Sequence, residues 1–155
     1  MANSNDMKFR PKLINDKLTN QKLLMDPVIT VKSSKIWLKK SIKSNFLPLT
    51  VVDHKGNNYG MTGLTQVDFY NKRAQFYITL NEKIRGLGLS SIIIKRVINF
   101  AKKNKLKKIY LFTLTKNKHG EKIFKKNLFK FEAFLKNHFY KNKKFINVKL
   151  FSLFI

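Results

Sequence analysis

The spacing of apolar and polar positions changes several times along this chain, and each change predicts a new element. Residues 7–14 alternate briefly between apolar and polar side chains, with Pro11 inside the run. This pattern predicts an edge strand that leads into a helix over residues 16–25. Asp26 and Pro27 would end that helix, because the residue before a proline avoids helical backbone angles.

A second short helix and three strands follow. Ser33 or Ser34 would cap a helix over residues 35–42, whose apolar positions form a modest face. Glycine, asparagine and aspartate are concentrated between the next apolar runs, which is the turn chemistry of hairpins. We therefore expect an antiparallel meander with strands over residues 46–52, 59–67 and 73–80.

The second half of the chain begins with the clearest helix, over residues 92–101. Its apolar side chains recur at helical spacing on one face, at Ile93, Val97, Phe100 and Ala101. A buried strand over residues 109–114 comes next, so the order of strand, helix and strand predicts a right-handed parallel crossover.

A short helix and a closing pair of strands complete the pattern. Residues 117–126 predict a helix with Ile123 and Phe124 directed inwards. Two apolar runs with strand character follow, and they predict an antiparallel pair over residues 128–134 and 145–154.

Length and composition fit one domain. With 155 residues, 43% of them hydrophobic, the chain can bury roughly 70% of its unfolded surface in one core. We expect an α+β domain over residues 1–155, with a mostly antiparallel twisted sheet of about six or seven strands and about four helices. No stretch has the pattern of a signal peptide or a membrane span, which predicts a cytoplasmic protein. The absence of cysteine excludes disulfides, and three scattered histidines argue against a metal site.

The charge balance is strongly basic, with 33 Lys and Arg against eight Asp and Glu and a formal net charge of +25. Such a charge attracts nucleotide cofactors, nucleotide-linked substrates, RNA or ribosomes. A compositional bias toward Lys, Asn, Ile and Phe explains the same excess without a function. The lysines are spread along the chain and are not clustered with aromatic residues, so the sequence does not indicate a nucleic-acid-binding module.

A glycine-bearing turn at residues 85–90 lies between a predicted strand and a predicted helix. The first N–H groups of a helix lack partners within the helix and lie at the positive end of its dipole, so they stabilise an anion. Gly86 and Gly88 let the backbone approach a ligand closely, and Arg85 adds a positive charge. The turn therefore predicts a phosphate-binding site.

The order of these elements resembles the GNAT superfamily of acetyl-CoA-dependent N-acetyltransferases. The family's turn has Gln or Arg, two residues, Gly, one residue, then Gly or Ala, and residues 85–90 match it except at Ser90. Asn117 and the Phe-rich segment after it also look like the family's pattern. The end of the chain is similar to the branch that contains ribosomal-protein, spermidine and amino-sugar acetyltransferases. The resemblance implies a GNAT-like fold, acetyl-CoA as cofactor, and a monomer or homodimer.

The resemblance also implies a set of cofactor contacts. The turn residues would hold the CoA pyrophosphate, the backbone of the preceding strand would pair with the pantetheine arm, and two further residues would lie nearby. In this sequence the implied residues are Ile78, Thr79, Leu80, Arg85, Gly86, Leu87, Gly88, Leu89, Ser90, Asn117 and Phe124.

Two positions depart from the family's catalytic pattern. Phe124 stands where the family commonly has a tyrosine acid, and Gln75 stands where this branch often has a glutamate. As replacements we weigh Glu82, Asp68 and His138, and we place Tyr77 and Tyr140 first as groups on the acceptor side.

The function expected from these observations is acetyl transfer from acetyl-CoA to a primary amine. The acceptor would be a ribosomal-protein N-terminus, an amino sugar or a small amine, and an acidic or nucleotide-linked acceptor would suit the basic surface. The alternative is a catalytically impaired basic protein that binds CoA or associates with the ribosome or RNA. The two departures and the net charge of +25 motivate that alternative.

Overall fold

A twisted sheet of six strands forms the frame of the molecule in the computed structural model, which describes residues 1–24 and 28–155. The described helices are α1 (Arg10–Asn15), α2 (Lys17–Asn20), α3 (Val31–Lys43), α4 (Leu89–Lys103) and α5 (Lys118–Lys126). The strands are β1 (Leu47–Val52), β2 (Asn58–Asp68), β3 (Arg73–Leu80), β4 (Lys108–Leu114), β5 (Lys130–Lys141) and β6 (Lys144–Phe154). None of the described helices is long and apolar enough to cross a membrane.

The sheet has the strand order β1-β2-β3-β4-β6-β5, and its only parallel pair among the described strands is β3 with β4. The predicted meander and the predicted closing pair are both confirmed. The parallel crossover is confirmed as well, because α4 carries the chain from the end of β3 back to the start of β4.

The main core lies between the sheet and the helices α4 and α5. Helix α4 contributes Ile94, Val97 and Ala101, each at most 2% exposed. The prediction placed Ile93 on this face, but Ile93 is partly exposed and Ile94 is the deeply buried residue. Positions 94, 97 and 101 follow the spacing of one helical face, and that face sets the orientation of α4 against the sheet.

The prediction of an edge strand over residues 7–14 was wrong. A 3₁₀ turn (Asn5–Lys8) and α1 occupy this segment. Pro11 lies in the first turn of α1, where the missing N–H would have had no partner in the helix. The Asp6 carboxylate holds the N-terminal segment in place, because it accepts hydrogen bonds from the Asn3 backbone N–H at 2.8 Å and from the Thr50 hydroxyl at 2.9 Å.

The next two predicted helices have different boundaries in the structure. The helix predicted over residues 16–25 is shorter, because α2 ends at Asn20 and residues 21–24 are not helical. The predicted stop at Asp26 and Pro27 lies outside the described residues. Helix α3 begins at Val31 with Thr30 as its cap, not with Ser33 or Ser34. Thr30 and Ser33 form a reciprocal capping box, which satisfies two backbone donors at once.

Helices α1 and α3 cover the other face of the sheet. Met7, Leu13, Leu38 and Met61 form a second apolar cluster there. The part of the sheet that contains β3 thus has α4 and α5 on one face and α1 and α3 on the other.

Candidate active site

The parallel strands β3 and β4 separate after only three residue pairs. The ladder joins Arg73 with Lys108, Ala74 with Ile109, and Gln75 with Tyr110, and no further pair follows. From residue 76 onward β3 is paired with β2 alone. On its other side the backbone has no strand partner beyond Gln75 among the described residues, and the Leu80 carbonyl oxygen accepts a hydrogen bond from Arg85. An extended ligand chain can pair with the remaining backbone groups there.

A cavity of about 410 Å³ lies at this opening. Eight of the eleven implied cofactor residues line it, namely Ile78, Thr79, Leu80, Arg85, Gly86, Ser90, Asn117 and Phe124. The other three, Leu87, Gly88 and Leu89, lie in the same turn but do not line the cavity, and Leu87 is 63% exposed. Residues from three separate parts of the chain therefore meet at one place.

The turn before α4 has the geometry of an anion cradle. Gly88 is the cap residue of α4, with φ of 72° and no side-chain cap, so no side chain of the turn competes for the first N–H groups of the helix. Gly86 also has a positive φ, 81°, and a Cβ at either glycine would meet nothing within 4 Å. The backbone conformation, and not crowding, requires glycine here, and the approach to the helix start is open.

Arg85 connects this turn to α2. Its Nη2 donates hydrogen bonds to Thr19 Oγ1 at 2.6 Å and to the Leu80 carbonyl oxygen at 3.2 Å. Thr19, Lys22 and Leu23 also line the cavity, so α2 and the residues after it form one of its walls. Sequence reasoning missed these three residues because no local motif marks them.

Asn117 occupies a restrained position at the start of α5. Its Oδ1 accepts a hydrogen bond from the Gly120 N–H at 3.0 Å, and its Nδ2 donates to Thr113 Oγ1 at 3.2 Å. A Cβ on Gly120 would lie 2.6 Å from Asn117 Nδ2, so the close approach depends on glycine. Helix α5 thus holds the Asn117 side chain at the cavity wall.

The two positions that depart from the family's catalytic pattern have structural roles: Phe124 packs in the core, and Gln75 belongs to the β3–β4 ladder. Phe124 is 8% exposed, and its ring packs against Phe129 and Phe151 with centroid distances of 6.1 and 6.5 Å. Gln75 belongs to the last β3–β4 pair, opposite Tyr110, where the strands begin to separate. Neither side chain has a proton to exchange at neutral pH.

Tyr77 faces the α1 and α3 side of the sheet and packs against its apolar cluster. Its hydroxyl is buried and has no hydrogen-bond partner among the described residues. Burial raises the pKa of Tyr77 well above its ordinary value, so the hydroxyl keeps its proton at neutral pH. Tyr77 thus places a buried, protonated hydroxyl two residues beyond the last β3–β4 pair.

None of the catalytic candidates lines the cavity, Tyr77 included. Tyr140 is 61% exposed on the β5–β6 hairpin and contacts Phe145, with ring centroids 5.2 Å apart. His138 is exposed and stacks near Phe112, and Glu82 is exposed in the 3₁₀ turn after β3. Asp68 accepts hydrogen bonds within its own turn and pairs with an arginine. Tyr77 is therefore the candidate with a buried, unused donor.

The electrostatic character of the cavity is basic. Lys22 and Arg85 line it together with His119, and no Asp or Glu of residues 1–24 and 28–155 does so. Positive side chains and a free helix start are the groups that bind phosphates. The lining therefore fits a cofactor that carries a pyrophosphate at one end and a linear arm at the other.

Glu121 on α5 stabilises the cavity wall through charge. Its carboxylate pairs with Lys149 at 2.7 Å and Lys125 at 2.9 Å, and hydrogen bonds from these lysines lower its pKa to about 2. A lowered native pKa stabilises the folded state above the ordinary value of 4.5, and this contribution is lost as the pH falls through about 2.

We expect Glu121→Gln to lower the Tm at pH 7 by a few degrees at most, because the pairs are solvent-screened, and to change it little near pH 2. Thermal unfolding from pH 7 to pH 2 measures this, with Glu82→Gln in an exposed turn as the control. An equal Tm difference for Glu121→Gln at pH 7 and at pH 2 would contradict a stabilising role of the ionised Glu121 carboxylate.

The fold, the glycine turn before α4 and the basic cavity are the features expected of an acyl-CoA-dependent transferase. A family model described as Acetyltransferase (GNAT) domain matches residues 1–149, and the chain belongs to this family. It is accordingly an N-acetyltransferase, and its cofactor is acetyl-CoA. A comparison with curated protein sequences gave no match.

Solved structures share the fold at low sequence identity. A spermidine N-acetyltransferase from Vibrio cholerae in complex with CoA and spermine has a TM-score of 0.91 and 21% identity, and the match covers 99% of this chain and 92% of that chain. A dodecameric structure of spermidine N-acetyltransferase from Vibrio cholerae in an intermediate state has a TM-score of 0.84 and 21% identity, covering 99% and 90%. At this identity the likeness establishes the fold, and it confirms the predicted α+β, GNAT-like architecture.

Proposed function

We propose that this protein transfers the acetyl group of acetyl-CoA to a primary amine that enters from the α1 and α3 face of the sheet. The separation of β3 from β4 after the Gln75–Tyr110 pair carries this proposal. In this proposal the gap between the two strands connects the cavity with the face on which Tyr77 lies. A cofactor held from the α4 side can then present its acetyl group to an acceptor on the opposite side.

The implied cofactor contacts become part of the proposal. The backbone N–H groups of residues 87–90 would hold the pyrophosphate, with Arg85 and Gly86 beside them. The free edge of β3 at Ile78, Thr79 and Leu80 would pair with the pantetheine arm. Asn117 and Phe124 would form the wall along that arm, since both line the cavity.

Acetyl-CoA, when bound, supplies an activated acetyl group with CoA thiolate as the leaving group. The protein's part is to hold the amine in line and to bind it unprotonated. The Tyr77 hydroxyl would hold a proton at its Oη on the acceptor side, supported by its burial and by its lack of a hydrogen-bond partner among the described residues. Tyr140 would act at the rim of the acceptor side, where its exposure on the hairpin favours acceptor contact over proton transfer.

The charges of the site favour an acceptor that is neutral or carries a negative group. The cavity lining has two cationic side chains and no carboxylate among the described residues, and the chain carries +25. A polyamine such as the spermine bound by the Vibrio cholerae neighbour would be repelled by this field, whereas a nucleotide-linked amino sugar would be attracted.

The proposal is tested by binding and by transfer. Acetyl-CoA at about 100 times its Kd should add roughly 2.7 kcal/mol to the stability of the protein, which a shift in Tm measures. Labelled acetyl transfer is then measured with spermidine, glucosamine, a nucleotide-linked amino sugar and a peptide with a free N-terminus. Stabilisation without transfer to any of these amines would support the CoA-binding alternative and contradict the proposal.

Two matched variants assign the acceptor side. Tyr77→Phe and Tyr140→Phe each remove only a hydroxyl, the first from a buried site and the second from an exposed one. We expect Tyr77→Phe to lower kcat at least about tenfold with the Kd of acetyl-CoA unchanged, and Tyr140→Phe to change mainly the KM of the acceptor. An unchanged kcat in Tyr77→Phe would remove Tyr77 from the proton-holding role.

A further inference from the structure

A second depression, of about 370 Å³, lies at the opposite end of β3 from the acetyl-CoA cavity. It is lined by Phe69, Lys72, Lys103, Asn104 and Lys105, and we call it the Phe69 groove. Lys72 in the groove and Ile78, the first β3 residue that lines the cavity, are six residues apart along the chain, which at about 3.3 Å per residue is about 20 Å. The groove is therefore distinct from the site that carries acetyl transfer.

The groove is built by two loops that are joined to each other. The backbone N–H groups of Lys107 and Lys108 both donate to the Lys72 carbonyl oxygen, at 2.7 and 3.0 Å. Asn104 Nδ2 donates to the Phe100 carbonyl oxygen at 2.8 Å, which secures the end of α4. The β2–β3 turn and the α4–β4 connection thus present their side chains from one connected frame.

Two aromatic rings are exposed on the turn that supplies Phe69 and Lys72 to the groove. Phe69 is 55% exposed and Tyr70 is 93% exposed, both on the β2–β3 turn. The two rings are neighbours in sequence, so they place aromatic surface next to the groove. Among residues 1–24 and 28–155, no carboxylate lines the groove. The nearby Asp68 is engaged by Asn71 and Arg73.

The α4 dipole explains only some of the basic residues near the Phe69 groove. Lys102 and Lys103 complement the negative end of the α4 dipole, as basic residues at a helix end commonly do. That reason does not extend to Lys72, which belongs to the other loop, or to the rings of Phe69 and Tyr70. Exposed rings next to lysines are the combination that binds single-stranded nucleic acid, since bases stack on the rings and phosphates pair with the cations.

We propose that Phe69, Tyr70, Lys72, Lys103 and Lys105 form a binding site for single-stranded nucleic acid. The sequence did not indicate such a module, because the lysines are spread along the chain. The fold brings residues 69–72 and 103–105 to the same end of the sheet, where they form one basic and aromatic surface. This function is additional to acetyl transfer and does not depend on the acceptor.

The test measures the affinity of fluorescein-labelled twelve-residue oligouridine and oligothymidine by fluorescence anisotropy at several salt concentrations. Phe69→Ala/Tyr70→Ala removes the rings and leaves the charge unchanged. Lys72→Gln/Lys103→Gln/Lys105→Gln removes three charges. The matched controls are Phe134→Ala/Phe145→Ala at exposed rings elsewhere, and Lys32→Gln/Lys35→Gln/Lys39→Gln on the exposed face of α3.

We expect each groove variant to raise the Kd at least about tenfold and each control to raise it less than about threefold. The lysine variant should also reduce the slope of log Kd against log salt by about 2, because each lost phosphate contact contributes about 0.7 for a single strand. If the ring variant binds like the wild type, or if the α3 control loses as much as the groove variant, binding is uniform electrostatic attraction and the proposal is wrong.

A second measurement on the unaltered protein makes the result independent of variant folding. Amide exchange with and without the oligouridine should show protection at residues 68–72 and 103–107, and excess acetyl-CoA should not displace the oligonucleotide. Protection confined to residues 85–90, or displacement by acetyl-CoA, would place the oligonucleotide in the cofactor cavity and overturn the proposal.

Discussion

The variant Gly88→Glu is expected to abolish measurable acetyl-CoA binding while the protein remains folded. Gly88 begins α4 with φ of 72°, which costs a residue with a Cβ about 1–2 kcal/mol. The added carboxylate would lie at the helix start and repel the pyrophosphate that the helix N–H groups would hold. We expect the Kd to rise at least about 100-fold, which corresponds to about 2.7 kcal/mol. Isothermal titration calorimetry measures this change.

Gly56→Glu provides a matched control for Gly88→Glu. Gly56 also has a positive φ, 83°, and a Cβ there would meet nothing within 4 Å. It lies in the turn between β1 and β2 and does not line the cavity. The control should lose a similar amount of stability from backbone strain and keep its affinity for acetyl-CoA. Equal affinities in Gly88→Glu and Gly56→Glu would show that the turn at residues 85–90 does not hold the cofactor.

The second large effect is expected on stability, from Phe151→Ala. Phe151 on β6 is 0% exposed and contacts Phe124 and Phe131, with ring centroids 6.5 and 5.7 Å apart. Removing a buried ring loses its transfer free energy and leaves a cavity, so the free energy of unfolding should fall by about 3–5 kcal/mol. Urea unfolding followed by circular dichroism measures the change.

Phe131→Ala is the control that distinguishes the loss of a buried ring from the loss of a ring contact alone. Phe131 belongs to the same aromatic contact but is 52% exposed. We expect it to lose less than half as much stability as Phe151→Ala, because water already reaches its ring. Phe124 lines the cavity that we propose holds acetyl-CoA, so Phe151→Ala should also weaken cofactor binding. A loss below about 1 kcal/mol in Phe151→Ala would contradict its place in the core.

Sequence reasoning predicted the middle of the chain well. Strand β3 was placed at residues 73–80 and observed as Arg73–Leu80, and the crossover through α4 to β4 was also correct. These elements have clear periodicity, and their boundaries are set by local turn residues such as Gly88. The resemblance to the GNAT superfamily, now supported by the family match, supplied the expected cofactor and its contact residues.

Prediction failed where the local signal was ambiguous or where contacts are distant in sequence. Residues 7–14 have a short apolar pattern that fits a strand or a helix, and burial of Met7 and Leu13 against α3 and β2 decided for a helical segment. Thr19 reaches Arg85 across 66 positions of sequence, and no motif marks such a pair.

The sequence by itself determined the elements from β1 onward, the glycine turn and the family, because backbone preference, periodicity and motif spacing act over a few residues. Only the tertiary structure decided which face each side chain occupies, that β3 and β4 separate after Gln75, and that α2 forms a wall of the cavity. It also decided that Phe69 and Lys103 share one groove. These features depend on packing between segments far apart in the chain, and no local pattern encodes such packing.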